Sequence, residues 1–131
     1  MDRTLPPQRH VSLLDSAART TAASPHNGDA VEMKGRRGAI VFVDVTLDPD
    51  TVSIAVQLQG YDETAEAWYD IPGAVTGAIA AVGHTALHVY PGIGETANVS
   101  VSDVLPPQIR AVSTHTGGTT LTYSVQAYLL A

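Results

Sequence analysis

Two histidines four residues apart, His84 and His88, are the first residues whose types and spacing could bind a metal ion. This spacing brings two imidazole rings together only on a helix, where residues i and i+4 are neighbours. On a strand the two positions share a face but lie about 13 Å apart, at roughly 3.3 Å per residue. Because the residues from His84 to Tyr90 have a strand pattern, we predict no metal site and no cofactor.

Three aspartates, Asp44, Asp48 and Asp50, could supply carboxylate oxygens to a calcium ion. A calcium loop of the hand type also needs a central glycine and a terminal glutamate, and this segment has neither. Pro49 stands between two of the aspartates, which is typical of a turn. We therefore interpret these aspartates as turn-forming and solubilising residues.

Three aromatic residues, Tyr61, Trp68 and Tyr69, lie close to four acidic residues, which are Asp62, Glu63, Glu66 and Asp70. Carboxylates beside aromatic rings are typical of glycoside hydrolases and of carbohydrate-binding surfaces. The same residues also describe an acidic hairpin loop whose aromatic rings pack on the edge of a sheet. The sequence alone leaves both interpretations open.

No pattern typical of a nucleophilic or phosphate-binding site occurs in the sequence. The chain has no G-x-S-x-G nucleophile motif, and Gly92-Ile93-Gly94 lacks the following helix that would bind a phosphate. The remaining histidines, His10, His26 and His115, are predicted in loops or turns. We therefore expect a protein that is not an enzyme.

Charge is divided unevenly along the chain. Residues 1–38 contain six basic and four acidic residues, a net charge of +2, whereas residues 39–131 contain one basic and nine acidic residues, a net charge of −8. This division suits a protein that binds a partner with its first segment and turns an acidic body towards solvent.

The composition also argues against several classes of partner. An acidic body is repelled by nucleic acid, whose binding depends on Lys and Arg. Apolar runs such as Ala39–Val43 fall far short of the roughly 20 residues that span a bilayer, and the N-terminus lacks the apolar stretch of a signal peptide. We expect a soluble protein, not secreted by a cleaved signal, with no nucleic-acid or membrane partner. Without cysteine, disulfides and thiolate metal sites are impossible.

Apolar residues recur with a period of two in three segments, which is typical of half-buried strands. The alternating apolar positions are Val41, Val43, Val45 and Leu47; Val52, Ile54, Val56 and Leu58; and Leu121, Tyr123, Val125, Ala127 and Leu129. Gly117-Gly118 can take the positive φ angles of a tight hairpin, and residues 47–51 predict a hairpin or a corner between sheets.

Shorter candidate strands lie between these segments, at residues 66–71, 74–79, 84–90 and 97–102, separated by Gly and Pro turns. We predict an all-β fold, a single antiparallel β-sandwich of Greek-key or jelly-roll type, with seven or eight strands after residue 38. Residues 74–82 could alternatively form one helical turn. Residues 1–15 are predicted to be an extended N-terminal arm and residues 16–131 the sandwich, although residues 11–34 could supply one or two peripheral strands.

Several segments, in this order and spacing, resemble a family of small virion structural proteins of tailed bacteriophages. The segments are Ser16-Ala17-Ala18-Arg19-Thr20, Gly38 to Thr46, Gln59-Gly60-Tyr61-Asp62, Trp68-Tyr69, His88-Val89-Tyr90-Pro91-Gly92, Leu105 to Arg110 and Ser124-Val125. The resemblance covers roughly residues 16–128 and implies a β-rich protein without catalytic residues. It implies a capsid decoration (minor capsid) protein on the outside of the phage head, or alternatively a tail or neck protein. The carbohydrate-binding sandwich is the other alternative.

The expected partners are the major capsid protein and further copies of this chain, with a trimer as the expected oligomer and a weak contact to host-surface carbohydrate as a further option. An extended arm can add a strand to a neighbouring sheet edge, so the partner-binding residues are predicted in the first segment. The predicted partner-binding residues are Arg3, Leu5, Pro6, Pro7, Arg9, Arg36 and Arg37, and the predicted oligomer contacts are Tyr128 and Leu130.

Overall fold

The computed structural model describes residues 9–131, which form two β-sheets packed face to face. The strands are β1 (Arg9–Thr20), β2 (His26–Asn27), β3 (Val31–Glu32), β4 (Gly38–Leu47), β5 (Ser53–Asp62), β6 (Ala67–Val75), β7 (Gly83–Val89), β8 (Ser100–Val101), β9 (Gln108–Thr116) and β10 (Thr120–Leu130). A single turn of 3₁₀ helix covers Thr21–Ala23. The predicted all-β sandwich is confirmed.

The first sheet has the strand order β1-β10-β4-β7-β8, and the second has the order β2-β9-β5-β6, with β3 also paired to β9. Strand β1 of the first sheet lies over β9 of the second, and β6 of the second sheet lies over β7 and β8 of the first. Each long edge of the sandwich therefore contains the edge of both sheets. All the pairs are antiparallel except β7 and β8, which are parallel. The predicted antiparallel arrangement therefore holds for the other strand pairs among residues 9–131.

The core consists of the side chains that point inward from both sheets. Every predicted inward residue of β5 and β10 is buried, including Val56 and Val125, which are fully buried. In β4 the predicted inward residue Leu47 is instead 57% exposed, because a register shift after Val45 pairs Leu47 with Thr122, which lies on the outer face of β10. Alternation with a period of two therefore located the central strands correctly.

Both of the predicted turns connect one sheet to the other. Gly117 and Gly118 have the expected positive φ angles, +72° and +56°, but the predicted tight hairpin is wrong, because β9 and β10 belong to different sheets and do not pair with each other. The segment after Leu47 carries the chain from the first sheet to the second and is a corner between sheets. In this corner the carboxylate of Asp48 accepts a hydrogen bond from the backbone N–H of Val52 at 2.8 Å.

The predicted boundary of the N-terminal arm is wrong. Residues 9–15 are the first half of β1, and Arg9 lies opposite Leu129 in the β1–β10 pairing. The register shifts twice, between Ser12 and Leu14 and between Leu14 and Ala17, so β1 contains bulges. Because a bulge breaks the alternation of apolar residues, the sequence pattern concealed this strand. The sandwich therefore includes residues from Arg9 onward.

The shorter predicted strands are only partly correct. The candidate at 97–102 contributes only Ser100–Val101, and β6 continues through Pro72 and Gly73 to Val75. Residues 74–82 contain no helical turn, and Ile79 forms an isolated bridge with Ile54. Within residues 9–131, no helix has the length and apolarity required to cross a membrane.

Gly28 is expected to be essential for the packing of β1 against the second sheet. A Cβ atom at this position would lie 2.3 Å from the carbonyl oxygen of Leu13 and 3.1 Å from that of Ala111. We predict that Gly28→Ala lowers the free energy of unfolding by about 1–3 kcal/mol, because two backbone segments must move apart. Urea denaturation measures the change.

Gly94→Ala is the matched control, since a Cβ atom there would meet no atom within 4 Å. It is expected to change the unfolding midpoint little. Equal effects of the two substitutions would contradict the proposed close approach at Gly28.

Candidate docking surface

The structure brings three of the predicted partner-binding residues, Arg9, Arg36 and Arg37, to one end of the sandwich. Arg9 opens β1 opposite Leu129, and the backbone N–H of Arg37 donates to the carbonyl of Leu130 at 2.9 Å. The remaining predicted partner-binding residues, Arg3, Leu5, Pro6 and Pro7, lie outside the described residues. The arginines therefore surround the last residues of the central strand β10.

Hydrogen bonds fix these arginines in place. The guanidinium of Arg9 donates to the backbone carbonyl of Glu32 at 3.0 Å. The guanidinium of Arg37 donates to the hydroxyl of Tyr90 at 3.1 Å and lies 5.6 Å from the centre of its ring, and this hydroxyl donates in turn to the carbonyl of Ala131. The positive charges are thus held on a rigid frame instead of on free side chains.

Lys34 belongs to the same group, although sequence reasoning did not select it. It is exposed and has a φ of +52° in the turn after β3, between Met33 and Gly35. In the sequence, Lys34 stands between an apolar residue, Met33, and a typical turn residue, Gly35. This pattern could have predicted an exposed side chain in the same turn as Arg36. We call the group of Arg9, Lys34, Arg36 and Arg37 the basic end.

A shallow groove of about 590 Å³ opens at the basic end, between β1 and β3. One wall is formed by residues 9–12 and the other by residues 30–32 and Lys34. In the described part of the chain, β1 pairs only with β10, so its other edge faces this groove. The groove combines an unpaired strand edge with basic side chains, which suits a protein partner.

The predicted oligomer contacts, Tyr128 and Leu130, lie two residues apart on β10 at this end. Tyr128 is 42% exposed on the outer face of the first sheet, and its ring lies 5.3 Å from that of His10 and 5.8 Å from that of Phe42. Leu130 is half-buried beside Arg37. We call His10, Phe42 and Tyr128 the aromatic patch; it is a surface on which apolar area remains uncovered.

The aromatic residues near the β5–β6 hairpin do not form one flat surface. Trp68 and Tyr61 pack with ring centres 5.1 Å apart at an interplanar angle of 59°, and the guanidinium of Arg110 covers the Trp68 ring at 4.6 Å. Tyr69 points to the opposite side of β6, towards Gly60 and Pro106. The three rings therefore do not form one flat platform, although Tyr61 and Tyr69 line a common open groove with Asp62, Glu63 and Pro107.

The acidic residues of the same hairpin have structural partners. The carboxylate of Asp62 accepts hydrogen bonds from the backbone N–H groups of Thr64 and Ala65, at 2.9 and 3.2 Å. The carboxylate of Asp70 accepts from Gln59, whose side-chain oxygen accepts from Arg110. The arrangement shapes the hairpin tip and holds Arg110 over Trp68.

His84 and His88 both lie on β7, as the strand pattern predicted. His84 lies 3.5 Å from the carboxylate of Asp44, and both side chains are exposed. Among residues 9–131, no group of three or more His, Asp or Glu side chains is arranged to hold a metal ion.

A buried polar cluster, which sequence reasoning missed, joins the two sheets at the other end of the sandwich. The hydroxyl of Tyr123, on β10, forms hydrogen bonds with the hydroxyl of Ser113 and with Nε2 of His115, the latter at 2.8 Å. Tyr123 and Ser113 are fully buried, and His115 is 7% exposed. Burial of these groups is tolerated because they satisfy one another.

The predicted placement of His10, His26 and His115 in loops or turns is wrong, since they lie on β1, β2 and β9. For His115, the signal was its position two residues after Ser113 and four after buried Ala111, which places it on the inward face of β9. A polar residue at an inward position is easily mistaken for a loop residue.

Burial lowers the pKa of His115 below the usual 6.5, and the neighbouring His26 and Arg19 lower it further. The His26 ring lies 4.8 Å from that of His115. The Nδ1 atom of His115 has no hydrogen-bond partner among the described residues. Burial also raises the pKa of Tyr123, partly opposed by its hydrogen bond with Ser113 and by the charge of Arg19. These effects favour the neutral form of His115 in the folded protein.

Arg19 ties the bulged half of β1 to this cluster. Its guanidinium lies 4.8 Å from the centre of the Tyr123 ring and donates to the backbone carbonyl of Tyr123 at 2.8 Å. It also donates to the carbonyl of Asp15, within the irregular part of β1. Backbone carbonyl groups near the bulges thus accept hydrogen bonds from the charged side chain of Arg19.

We expect Tyr123→Phe to destabilise the fold by about 1–3 kcal/mol, because Ser113 and His115 lose a buried partner. Tyr61→Phe, which removes a hydroxyl from a half-buried ring, is the control and is expected to change stability little. Denaturant unfolding followed by tryptophan fluorescence measures both variants. Equal stability of the two variants would show that the cluster contributes nothing.

Stability is expected to fall as the pH drops below about 6.5, the value at which an exposed histidine titrates. In this range the unfolded chain binds a proton at His115 that the folded chain resists, so protonation favours unfolding. This loss of stability should be complete once the pH is below the lowered pKa of His115 in the folded state. Unfolding midpoints measured between pH 8 and pH 4.5 test this expectation.

The matched variants are His115→Gln and His88→Gln, since His88 is exposed on the outer face. His88→Gln should retain the pH dependence and His115→Gln should flatten it. An NMR titration of the wild-type histidines gives the same answer if His115→Gln folds poorly. A His115 pKa at or above 6.5 would contradict the expectation.

Comparisons of the chain with protein-family models, with curated proteins and with solved structures found no match.

Proposed function

We propose that this protein is a non-enzymatic structural protein of a tailed-bacteriophage virion, a decoration or cement protein that binds the outside of the major capsid lattice. The observation that carries the proposal is the basic end. Three residues predicted from the sequence to bind a partner lie there together, and β1 begins there, so residues 1–8 are joined to the protein at this surface.

The charge distribution supports binding through this end. Arg9 and Arg37 are held by hydrogen bonds to the backbone and to Tyr90, so little side-chain entropy remains to be lost on binding. The rest of the chain is acidic, which favours one orientation, with the basic end on the shell and the acidic body in solvent. A decoration protein must bind the shell in one orientation, and this distribution of charge favours one.

Self-association is the second part of the proposal, with a trimer as the oligomer. The aromatic patch leaves Tyr128 42% exposed, and Leu130 lies two residues further along β10. Decoration proteins stabilise a shell by adding many weak contacts across its subunits, and an oligomer multiplies these contacts. The aromatic patch offers the apolar area that such an oligomer would cover.

Of the two alternatives, a tail or neck location uses the same docking chemistry and is decided by the experiment below. The carbohydrate-binding function is less well supported, because Arg110 covers the Trp68 ring and Tyr69 points to the other side of β6.

Binding to empty shells of the major capsid protein tests the proposal. The variant Arg36→Gln/Arg37→Gln should reduce occupancy of the shells severalfold, because it removes two charges from the basic end. A variant lacking residues 1–8 should also bind less, whereas removal of residues up to 15 would destroy half of β1. Co-sedimentation with shells and with isolated tails measures occupancy.

Thr116→Glu/Thr119→Glu is the matched control, since it changes the net charge equally but at the opposite, exposed end of the sandwich. It should bind shells as the wild type does. Binding to tails instead of shells would support the alternative location of the protein in the tail or neck. Binding to neither particle would contradict the proposed function.

A further inference from the structure

The two long edges of the sandwich carry opposite charges at the same end. The edge made by β1, β3 and the turn after β3 carries Arg9 and Lys34 together with exposed Glu32, so these three residues leave a net positive charge. The opposite edge carries the tip of the β5–β6 hairpin, with exposed Glu63 and Glu66, and the loop after β8, with Asp103. We call these the basic edge and the acidic edge.

Strand register shows that the two edges lie at the same height. In the first sheet, one row of paired residues crosses from Arg9 on the basic edge to Val101 beside the acidic edge, through Leu129, Ala39 and Val89. In the second sheet, a row crosses from Val31 to Tyr69, through Ile109 and Gly60. The hairpin tip begins two residues beyond Gly60. The charged groups therefore face outward in opposite directions at one level of the molecule.

We propose that copies of this chain associate head to tail, with the basic edge of one copy against the acidic edge of the next, and close into a ring. A rotation about an axis parallel to the strands keeps every group at its own height, so it brings Arg9 and Lys34 of one copy beside Glu63 and Glu66 of the next. A two-fold contact would instead place like charges together. The charge pattern thus selects a cyclic arrangement.

Side chains, and not strand addition, make this contact. The bulges of β1 and the two-residue length of β8 both interrupt continuous main-chain pairing across these edges. Two exposed valines beside the acidic edge, Val99 at 47% and Val104 at 55%, supply apolar area. The groove of about 590 Å³ between β1 and β3 provides a concave surface on the basic edge to receive them.

The ring has a consequence for docking. Because the axis runs parallel to the strands, the basic ends of all copies point in one direction, so they can meet a flat partner surface together. The number of three copies rests on the proposed function, but the ring uses the two edges as its contact in place of the aromatic patch, and it forms without a shell. Failure of shell binding and failure of the ring are therefore separate results.

Charge reversal on each edge tests the ring. Lys34→Glu reverses the charge at the centre of the basic edge, and Glu66→Lys lowers the negative charge of the acidic edge without reversing it. Each variant alone should raise the dissociation constant for self-association by roughly tenfold, because the attraction between the two edges is then weakened. An equal mixture of the two variants should recover association, since the altered edges complement each other. Analytical ultracentrifugation at low and at high salt measures the association.

Asp50→Lys is the matched control, because it makes the same change of charge as Glu66→Lys at an exposed site in the corner between β4 and β5. It should associate as the wild type does, and 0.5 M salt should weaken the wild-type ring. A wild-type protein that stays monomeric at every concentration tested would overturn the proposal. So would a mixture that associates no better than its components.

Discussion

The packing of β10 against its neighbours is the interaction on which the rest of the structure depends. It pairs with β1 on one side and with β4 on the other, and its inward side chains, from Leu121 to Leu129, are fully buried. One of them, Tyr123, reaches across to Ser113 and His115 of the second sheet. The same strand therefore holds the first sheet together, fills the core and joins the two sheets by a polar contact.

The two ends of β10 have different roles because their environments differ. At the cluster end, Arg19 lies over the Tyr123 ring and binds its carbonyl, so the charge is used internally to hold the bulged part of β1. At the basic end, Arg37 binds Tyr90 and the backbone of Leu130, and its charge remains at the surface. Arginines of similar appearance in the sequence thus hold the bulged strand at one end and stay exposed at the other.

Much of the fold could be predicted from the sequence because the central strands follow a simple physical rule. Val45, Leu58 and Val125 alternate with polar residues, and each lies in a strand with one face in the core. The rule fails at β1, where bulges bring Leu13 and Leu14 to the same side, and at β8, which has only two residues and no period to detect. Long-range pairing, not local pattern, makes these residues into strands.

The docking surface was only half predictable for a related reason. Clustering of basic residues in the first 38 positions predicted a partner-binding segment, but only the fold brings Arg9 to β3 and to the turn that follows it, since β1 and β3 belong to different sheets. His115 was missed because its inward position depends on the register of β9 against β5. Single residues with tertiary partners leave no periodic signal.

Charge alone is a weak source of affinity, so the charged edges need apolar area beside them to bind a partner. Exposed ion pairs contribute roughly 0–1 kcal/mol each and are screened by salt, so the basic and acidic edges mainly set orientation and rate. Apolar area must supply most of the binding free energy. Tyr128 with its neighbours, and Val99 with Val104, lie on surfaces next to these charges. In the ring that we propose, the charged residues therefore select the arrangement, and the adjacent apolar residues stabilise it.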